Sequence, residues 1–387
     1  MKIISIVGAR PNFMKIAPFI HAIKNYNKTK NSKKIEHILV HTGQHYDDRM
    51  SKVFFESLNI PDADVHLGIG SGTHAEQVAN TMVEFEKVVQ AEKPDWVVVV
   101  GDVNATLACS ITAKKEKIKV CHIEAGLRSG DMDMPEEINR LVTDRLSDLL
   151  LTPDPLSTQN LLNEGTEESR IRFVGNIMID TLEKNRQKAA EFDIGNIIKE
   201  NVLDDKTLIP SKIDSFSVIT MHRPSNVDSV DVLSPIIRFL LDEVCKKEIL
   251  IWPIHPRARK QLESFGLWND VVKEQNLILL HPINYHEMLK LNMEANSMLT
   301  DSGGLQEECC VLGTPCLTLR WNTERPITLK KHGGASSLVG NNIEKIREEY
   351  FNISMDNRVP NRPELWDGKT AERCLMAILE KSKISQK

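Results

Sequence analysis

Short, uninterrupted apolar runs alternate with helix-length amphipathic segments along most of the chain, and this alternation restricts the possible folds more than any other feature. Runs such as "KIISIV", "DWVVVVGD" and "IKVCHIE" lack the in-out alternation of a strand with one wet face, which predicts strands covered on both sides. Segments such as "HAEQVANTMVEFEKVVQAE" lie between these runs and have helical spacing. Repeated alternation of this kind predicts α/β domains with parallel sheets and right-handed crossovers.

The alternation stops in a polar region between about residues 184 and 215 and then starts again. A second series of strand-like runs follows, including "FSVITMH", "EILIWPIH" and "NSMLTDSGG". With 387 residues, the chain also exceeds the usual size of one hydrophobic core. We therefore predict two doubly wound, Rossmann-like domains, 1–180 and 181–366, followed in 367–387 by a helix that could pack back on the first domain.

Composition and charge narrow the classes of partner. The net charge of -5 gives no general attraction to nucleic acid or to an anionic membrane, and no window is long and apolar enough for a membrane span. The seven cysteines show no CxxC pair, and they lie in core-like runs. These features predict a cytoplasmic protein with reduced, buried thiols.

Carboxylates follow two strand-like runs at the point where each run ends. Asp102 comes after "WVVVVG", and Glu124 comes after "KVCHI". Because ligands of open parallel sheets bind beyond the carboxyl ends of the strands, both acids are expected at one edge of the first sheet. Asp102 could instead cap the helix that starts near residue 104. Glu124 has no such alternative, since no helix follows it directly.

A third acid lies at the start of a predicted helix in "MPEEINR". Glu136 follows Pro135, and Arg140 comes four residues later on the same helical face. An acid in a first helical turn is often only a partner of the helix dipole. We assign that ordinary role to Glu137 more readily than to Glu136.

Cations and histidines at other strand ends suit an anionic ligand. In the first domain, Arg10 and Lys15 lie at a helix start after "SIVGA". In the second domain, His222 and His255 each end a strand, and an arginine follows each within two residues. Each histidine alone is more often a structural side chain than a catalyst, but together they point to an anion.

The segment "MLTDSGGLQEE" is the strongest candidate for a diphosphate site. Ser302, Gly303 and Gly304 open a helix whose first amides could hold phosphates, because small residues permit close approach. Glu308 lies one turn later, where a carboxylate can accept hydrogen bonds from ribose hydroxyls, and Arg320 follows the next strand. The pattern matches neither GxxxxGK[ST] nor GxGxxG, so it does not indicate ATP or NAD.

In order along the chain, these motifs resemble those of the non-hydrolysing UDP-N-acetylglucosamine 2-epimerases. The likeness spans "GARPNFMKIAP", "HTGQHYDDRMS", "GDVNAT", "HIEAGLRSGD", "PEEINR", "HRPSN", "LTDSGGLQEE" and "GTPCLTLRWNTERP". It implies a two-domain fold like that of GT-B glycosyltransferases, with the active site in the cleft between domains. It also implies a homodimer and a UDP-sugar substrate, without a metal or a nicotinamide cofactor.

The resemblance also implies a role for each matching residue. The catalytic residues would be Asp102, Glu124, Glu136 and His222. The residues that bind UDP or the sugar would be Arg10, Lys15, Arg140, Met288, Ser302, Gly303, Gly304, Glu308 and Arg320. The residues that contact a second, activating UDP-N-acetylglucosamine would be Gln44, His45 and His255.

The chemistry that the resemblance implies is anti elimination of UDP to give 2-acetamidoglucal, followed by re-addition of UDP with a proton delivered to the opposite face. Two alternatives are a hydrolysing epimerase, which releases N-acetylmannosamine and UDP, and a GT-B glycosyltransferase. "GARPN" and "HRPSN" depart from the commoner family motifs. The hexosamine therefore stays open, since relatives with similar variants act on UDP-linked diacetamido uronic acids or 6-deoxy sugars.

Overall fold

A computed structural model describes residues 1–8, 10–29, 34–43, 62–203, 213, 215–353 and 358–384. The chain divides into two compact units. The first unit comprises Met1–Lys184 and Pro363–Lys387, and the second comprises Asn185–Arg362.

The first unit is built on a parallel sheet. Within the described residues its strands are β1 (Lys2–Val7), β2 (Glu36–His41), β3 (Val65–His66), β4 (Trp96–Val100), β5 (Lys119–Ile123), β6 (Leu149–Thr152) and β7 (Ile171–Phe173). Their order across the sheet is β3-β2-β1-β4-β5-β6-β7. All five residues of β4 are buried, as expected for a valine-rich central strand with helices on both faces.

Helices connect these strands and cover the sheet. Those that the structure describes are α1 (Arg10–Lys28), α2 (His74–Glu92), α3 (Asn104–Lys115), α4 (Pro135–Leu146), α5 (Pro155–Asn163) and α6 (Ile177–Ala190), with a 3₁₀ turn at Glu168–Arg170. The helix α6 contains the boundary between the two units.

The end of the chain forms part of the first unit through α15 (Thr370–Ile384). The amides of Thr370 and Ala371 donate to the carboxylate of Asp180 at 3.0 and 2.7 Å. The indole N–H of Trp96 in β4 donates to the Ser382 hydroxyl at 2.8 Å. This last segment therefore satisfies buried polar groups of the first unit.

The second unit repeats the design with fewer strands. Within the described residues its strands are β8 (Phe216–Thr220), β9 (Ile249–Pro253), β10 (Leu277–Leu280), β11 (Met298–Thr300), β12 (Cys316–Thr318) and β13 (Ser336–Leu338). They are parallel, in the order β10-β9-β8-β11-β12-β13.

The helices of the second unit lie on both sides of this sheet. Those described are α7 (Ile194–Asn201), α8 (Pro224–Val227), α9 (Val230–Phe239), α10 (Pro256–Ser264), α11 (Trp268–Lys273), α12 (Tyr285–Glu294), α13 (Gly303–Leu312) and α14 (Ile343–Asn352). A π-helical turn, Leu240–Val244, continues α9, and 3₁₀ turns lie at Pro326–Thr328 and Lys330–His332.

Both sheets reverse their strand order at one point, between β1 and β4 in the first unit and between β8 and β11 in the second. Loops diverge at such a switch point and leave a crevice at the carboxyl ends of the strands, where ligands bind in open parallel sheets. Gly101 and Asp102 follow β4, and residues 301–304 follow β11. The candidate residues thus lie at both switch points.

Two further predictions concern the chain as a whole. All seven cysteines are free and buried, which confirms the prediction of reduced thiols in the core. Within the described ranges, none of the helices is both long enough and apolar enough to cross a membrane.

Candidate active site

The first group of candidate residues lies where β4 and β5 end side by side. Val100 pairs with Ile123 in the sheet register, and the amide of Gly101 donates to the carbonyl of Ile123 at 3.2 Å. Asp102 and Glu124 come one or two residues later. The register therefore brings both acids to the same edge of the sheet, as the sequence predicted.

Glu124 is a buried carboxylate with one paired and one unpaired oxygen. Its Oε2 lies 2.5 Å from Nζ of Lys15 in α1, and both residues are at least 94% buried. Its Oε1 is buried and has no hydrogen-bond partner among the described residues. The φ of Glu124 is 70°, a left-handed conformation that is costly for a residue with a side chain. Backbone strain and unsatisfied buried polar atoms are both common at functional sites, so these two observations make Glu124 a strong candidate residue.

Gly101 makes room for this ion pair. Its φ is 70°, and a Cβ at this position would lie 3.2 Å from Nζ of Lys15 and 3.5 Å from Oε2 of Glu124. A larger residue would therefore strain the turn and press on the pair. The sequence analysis assigned Lys15 to the substrate, whereas the structure shows its ammonium paired with Glu124.

Asp102 does not cap α3. The cap position is Val103, without a side-chain hydrogen bond, so the capping alternative is wrong. The Asp102 carboxylate instead pairs with Nη1 of Arg140 at 2.5 Å. The Asp102 carbonyl accepts from the Asn139 amide at 2.8 Å. Two residues of α4 thus hold Asp102 in place.

The two neighbouring glutamates of α4 have different surroundings. Glu137 is buried and accepts from the amides of Ser129 and Gly130 and from Arg140. Although burial opposes the change, these hydrogen bonds lower the pKa of Glu137. Glu137 is therefore more than the partner of the helix dipole that the sequence suggested. Glu136 is exposed in the first turn of α4 and remains available to a ligand.

In the second unit, a buried aspartate organises the loop after β8. Asp301 is fully buried, and its Oδ2 accepts from the amides of His222 and Arg223, each at 2.9 Å. Its Oδ1 lies 2.7 Å from Nδ1 of His222, whose side chain is 44% exposed. Burial opposes the change, but His222 and the backbone donors lower the pKa of Asp301. Asp301 thereby orients the His222 imidazole, whose side chain is partly exposed to solvent.

The sequence analysis missed this role of Asp301, although "TDSGG" contains the signal of an acid directly after a strand. It also missed His122 and Asp144, which contact each other behind the first site. Both are internal residues of a strand and a helix, where a core role was the ordinary expectation.

The predicted glycines lie at the start of α13, next to the side chains of Arg325 and Glu324. Ser302 occupies the cap position without a side-chain hydrogen bond to the helix. A Cβ on Gly303 would lie 2.7 Å from Nη1 of Arg325 and 2.9 Å from Oε1 of Glu324. Gly303 therefore accommodates a guanidinium beside the helix start.

A buried network of charges surrounds this helix start. Arg320 pairs with Glu324 at 2.6 Å, and Arg325 pairs with Glu307 at 2.7 Å. Nη1 of Arg320 is buried and has no hydrogen-bond partner among the described residues. An unsatisfied donor of this kind could be used by an anion.

Glu308 lies within α13, and Met288 lies within α12. Glu308 is 98% buried, and this burial, with the charge of Glu307, raises the pKa of Glu308 to about 7. Met288 is half-buried and packs against the apolar core beside the sheet. The two side chains lie on adjacent helices of the second unit.

The residues of the predicted activating site are only partly described. Gln44 and His45 lie outside the part of the chain that the structure describes. So does the side chain of Arg10, which was predicted to bind the substrate. His255 is exposed, and its ring lies 5.5 Å from that of His222. Groups of three or more His, Cys, Asp or Glu side chains arranged to hold a metal ion are absent from the described ranges.

Comparison with known proteins identifies the family. The family model described as UDP-N-acetylglucosamine 2-epimerase matches residues 27–379. The UDP-N-acetylglucosamine 2-epimerase of Methanocaldococcus jannaschii is 41% identical over 380 residues, which cover 98% of this chain and 99% of that protein. The chain belongs to the UDP-N-acetylglucosamine 2-epimerase family.

Two further matches bear on fold and specificity. The M. jannaschii crystal structure in complex with UDP-GlcNAc and UDP is 39% identical, has a TM-score of 0.87, and is matched over 98% of this chain and 100% of that chain. The UDP-2,3-diacetamido-2,3-dideoxy-D-glucuronate 2-epimerase of Pseudomonas aeruginosa is 37% identical over 98% of this chain and 100% of that protein. The predicted family, its isomerase class and the doubly wound, GT-B-like fold class are confirmed.

Proposed function

We propose that the protein reversibly epimerises carbon 2 of a UDP-N-acetylhexosamine, with UDP-N-acetylglucosamine and UDP-N-acetylmannosamine as the first pair to test. The observation that carries this proposal is the edge of the first sheet, where Glu124 and Asp102 are each paired with a cation. A free buried oxygen of Glu124 and an exposed Glu136 lie on the same unit. Carboxylates held in this way can accept and return protons.

The proposed route is elimination and re-addition. The hydrogen at carbon 2 of an N-acetylhexosamine is weakly acidic, so its direct abstraction would face a high barrier. Anti elimination breaks the bond from carbon 1 to the phosphate oxygen, and a carboxylate takes the carbon 2 proton. UDP then re-adds to the 2-acetamidoglucal, while an acid delivers a proton to the opposite face. We propose Asp102, Glu124 and Glu136 as the groups that move these protons.

We propose that the second unit binds the nucleotide. Ser302, Gly303 and Gly304 begin α13, where the helix dipole favours a diphosphate. The Ser302 amide donates to the Thr300 hydroxyl at 3.0 Å, so we propose that the Ser302 hydroxyl and the amides of the two glycines meet the phosphates. His222, fixed by Asp301, and the unsatisfied Nη1 of Arg320 supply further donors for the phosphates.

The other candidate residues are proposed to contact the rest of the substrate or to hold the acids. Glu308 is proposed to accept hydrogen bonds from the ribose, and Met288 to contact the UDP-sugar. Arg10 is proposed to bind phosphate. Lys15 and Arg140 are proposed to act through the acids that they hold.

The oligomeric state, location and pathway of the enzyme are proposed from its family resemblance. We propose a cytoplasmic homodimer that supplies surface polysaccharide synthesis. A second UDP-N-acetylglucosamine, contacted by Gln44, His45 and His255, is proposed to activate it. The relative from P. aeruginosa makes a UDP-linked diacetamido uronic acid the second substrate to test.

One experiment tests the reaction and its alternatives together. The purified protein is incubated in D₂O with UDP-GlcNAc or with UDP-2,3-diacetamido-2,3-dideoxy-glucuronate, and proton NMR follows the products. The expected product is the 2-epimer with deuterium at carbon 2. Free N-acetylmannosamine and UDP would indicate the hydrolysing reaction instead. An epimer that keeps its carbon 2 hydrogen would contradict the proposed route.

A further inference from the structure

A buried histidine lies directly behind the turn that carries Asp102, and the reaction proposed above does not use it. His122 is in β5, two residues before Glu124, and its side chain is fully buried. Its Nε2 lies 2.9 Å from the carbonyl oxygen of Gly101. Its Nδ1 lies 2.6 Å from Oδ1 of Asp144 in α4. One ring thus connects the turn after β4 with the helix that carries Glu136 and Arg140.

Asp144 is the anchor of this contact. It is 98% buried, and its Oδ2 accepts from the amide of Gly126 at 3.0 Å and pairs with Arg128 at 2.7 Å. Although burial opposes the change, His122 and Arg128 lower the pKa of Asp144. Both ring nitrogens of His122 thus lie within hydrogen-bond distance of an oxygen atom, and the Gly101 carbonyl can only accept.

Other contacts among the described residues also hold this turn. The amide of Gly101 makes a long bond of 3.2 Å to Ile123, the Asp102 carbonyl accepts from Asn139, and the Asp102 carboxylate pairs with Arg140. The carbonyl of Gly101 would lack its buried partner without the ring of His122. Since Gly101 has a φ of 70°, its peptide planes can rotate into conformations that other residues avoid. The hydrogen bond from His122 opposes such a rotation.

We propose that His122 is a positioning residue, which uses its contact with Asp144 to hold the Gly101–Asp102 turn in register with the strand end that carries Glu124. This role rests on the function proposed above, because it concerns the placement of the acids for proton transfer. A displacement of about 1 Å at a reacting group can reduce turnover about 100-fold.

Two substitutions separate the two contacts of the ring. In His122→Gln, the amide nitrogen can take the place of Nε2 and still donate to Gly101. In His122→Asn, the shorter amide can take the place of Nδ1 and donate to Asp144 only. We expect kcat of the Asn variant to fall about 100-fold, with a KM near that of the wild type. The Gln variant should lose far less, which a role in stability alone would not explain.

A second, half-buried histidine supplies the control. His37 in β2 lies three strands away from His122 in the same sheet, where its Nε2 contacts the Ser5 hydroxyl at 2.9 Å. His37→Asn should lower the unfolding midpoint without the loss of kcat seen for His122→Asn. An equal loss of kcat in the two Asn variants would contradict the proposal.

One measurement does not depend on turnover. Crystal structures of the variants should show the Gly101–Asp102 turn displaced with Asn and kept with Gln. An unmoved turn in the Asn variant would overturn the positioning role of His122, whether or not the wild type is active. A wild type that is inactive on every UDP-sugar would instead overturn the proposed function.

Discussion

The two units share a strand order but use the edge of the sheet differently. At the first edge, the buried acid Glu124 has its own ammonium partner, Lys15. In the second unit, the buried acid Glu308 lies within α13 beside another carboxylate, Glu307, and burial, with the charge of Glu307, raises the pKa of Glu308 to about 7. The two units therefore present a buried acid either as half of an ion pair or as a carboxyl group with a raised pKa. The cation beside Glu124 is the difference between them.

The largest effect on turnover is expected when Glu124, the buried acid of the first unit, is replaced. Glu124→Gln removes the proton acceptor and leaves the Lys15 ammonium without its buried partner, so turnover should fall about 10³-fold. UDP affinity, measured by calorimetry, should change little because the second unit is proposed to bind the nucleotide. Glu86→Gln, an exposed change on α2, serves as the control. Normal turnover in the Glu124 variant would remove this acid from the reaction.

The next effect separates the neighbouring glutamates of α4. Glu136→Gln should lower turnover about 100-fold and leave the free energy of unfolding nearly unchanged, because the side chain is exposed. Glu137→Gln should instead lower the free energy of unfolding by about 1–3 kcal/mol, since it weakens the bonds from Ser129, Gly130 and Arg140. Denaturant titrations and initial rates on both variants test this contrast. The reverse pattern would exchange the two roles.

A smaller effect is expected from a change at Arg140, the cation that pairs with both Asp102 and Glu137. Arg140→Lys keeps the charge but cannot reach Asp102 and Glu137 together, so turnover should fall about tenfold and stability by about 1–3 kcal/mol. Arg145→Lys, an exposed change in the last turn of α4, is the matched control. Equal behaviour of the two variants would show that Arg140 does not orient Asp102.

The smallest effect is expected in the pH dependence of UDP-GlcNAc binding, which tests Glu308 in the second unit. Hydrogen bonds from ribose hydroxyls favour the charged form of Glu308, whose pKa is about 7 in the free protein. Binding therefore releases a proton below this value, and affinity for UDP-GlcNAc should weaken as pH falls from 8 to 6, by less than about tenfold per pH unit. Calorimetry of wild type and Glu308→Gln checks this. The dependence should be absent in the variant, and its persistence there would assign it to another group.

The sequence was sufficient to locate both candidate sites in the fold. Continuous apolar runs ending in Asp102 and Glu124 predicted the edge of a parallel sheet, and β4 and β5 place both acids there. This part depends on local pattern and on a general rule of topology, so one sequence was enough.

The partners of these residues were not predictable in the same way. Arg140 is 38 residues from Asp102, Lys15 is 109 residues from Glu124, and Asp301 is 79 residues from His222. Such pairs depend on how whole elements pack, which periodicity does not encode. The choice between Glu136 and Glu137 depends on the rotation of α4 about its axis, and the sequence left that angle undetermined.

The return of residues 363–384 to the first unit affects the order of events during synthesis. The ribosome releases residues 1–184 early, but the amides that satisfy Asp180 and the hydroxyl that meets Trp96 are made almost 200 residues later. Until then, a nascent chain holds its first sheet without the covering helix α15. Folding of this half is therefore completed only after residues 370–384 have been made, and a nascent chain that stalls before them would leave part of this unit open to chaperones and proteases.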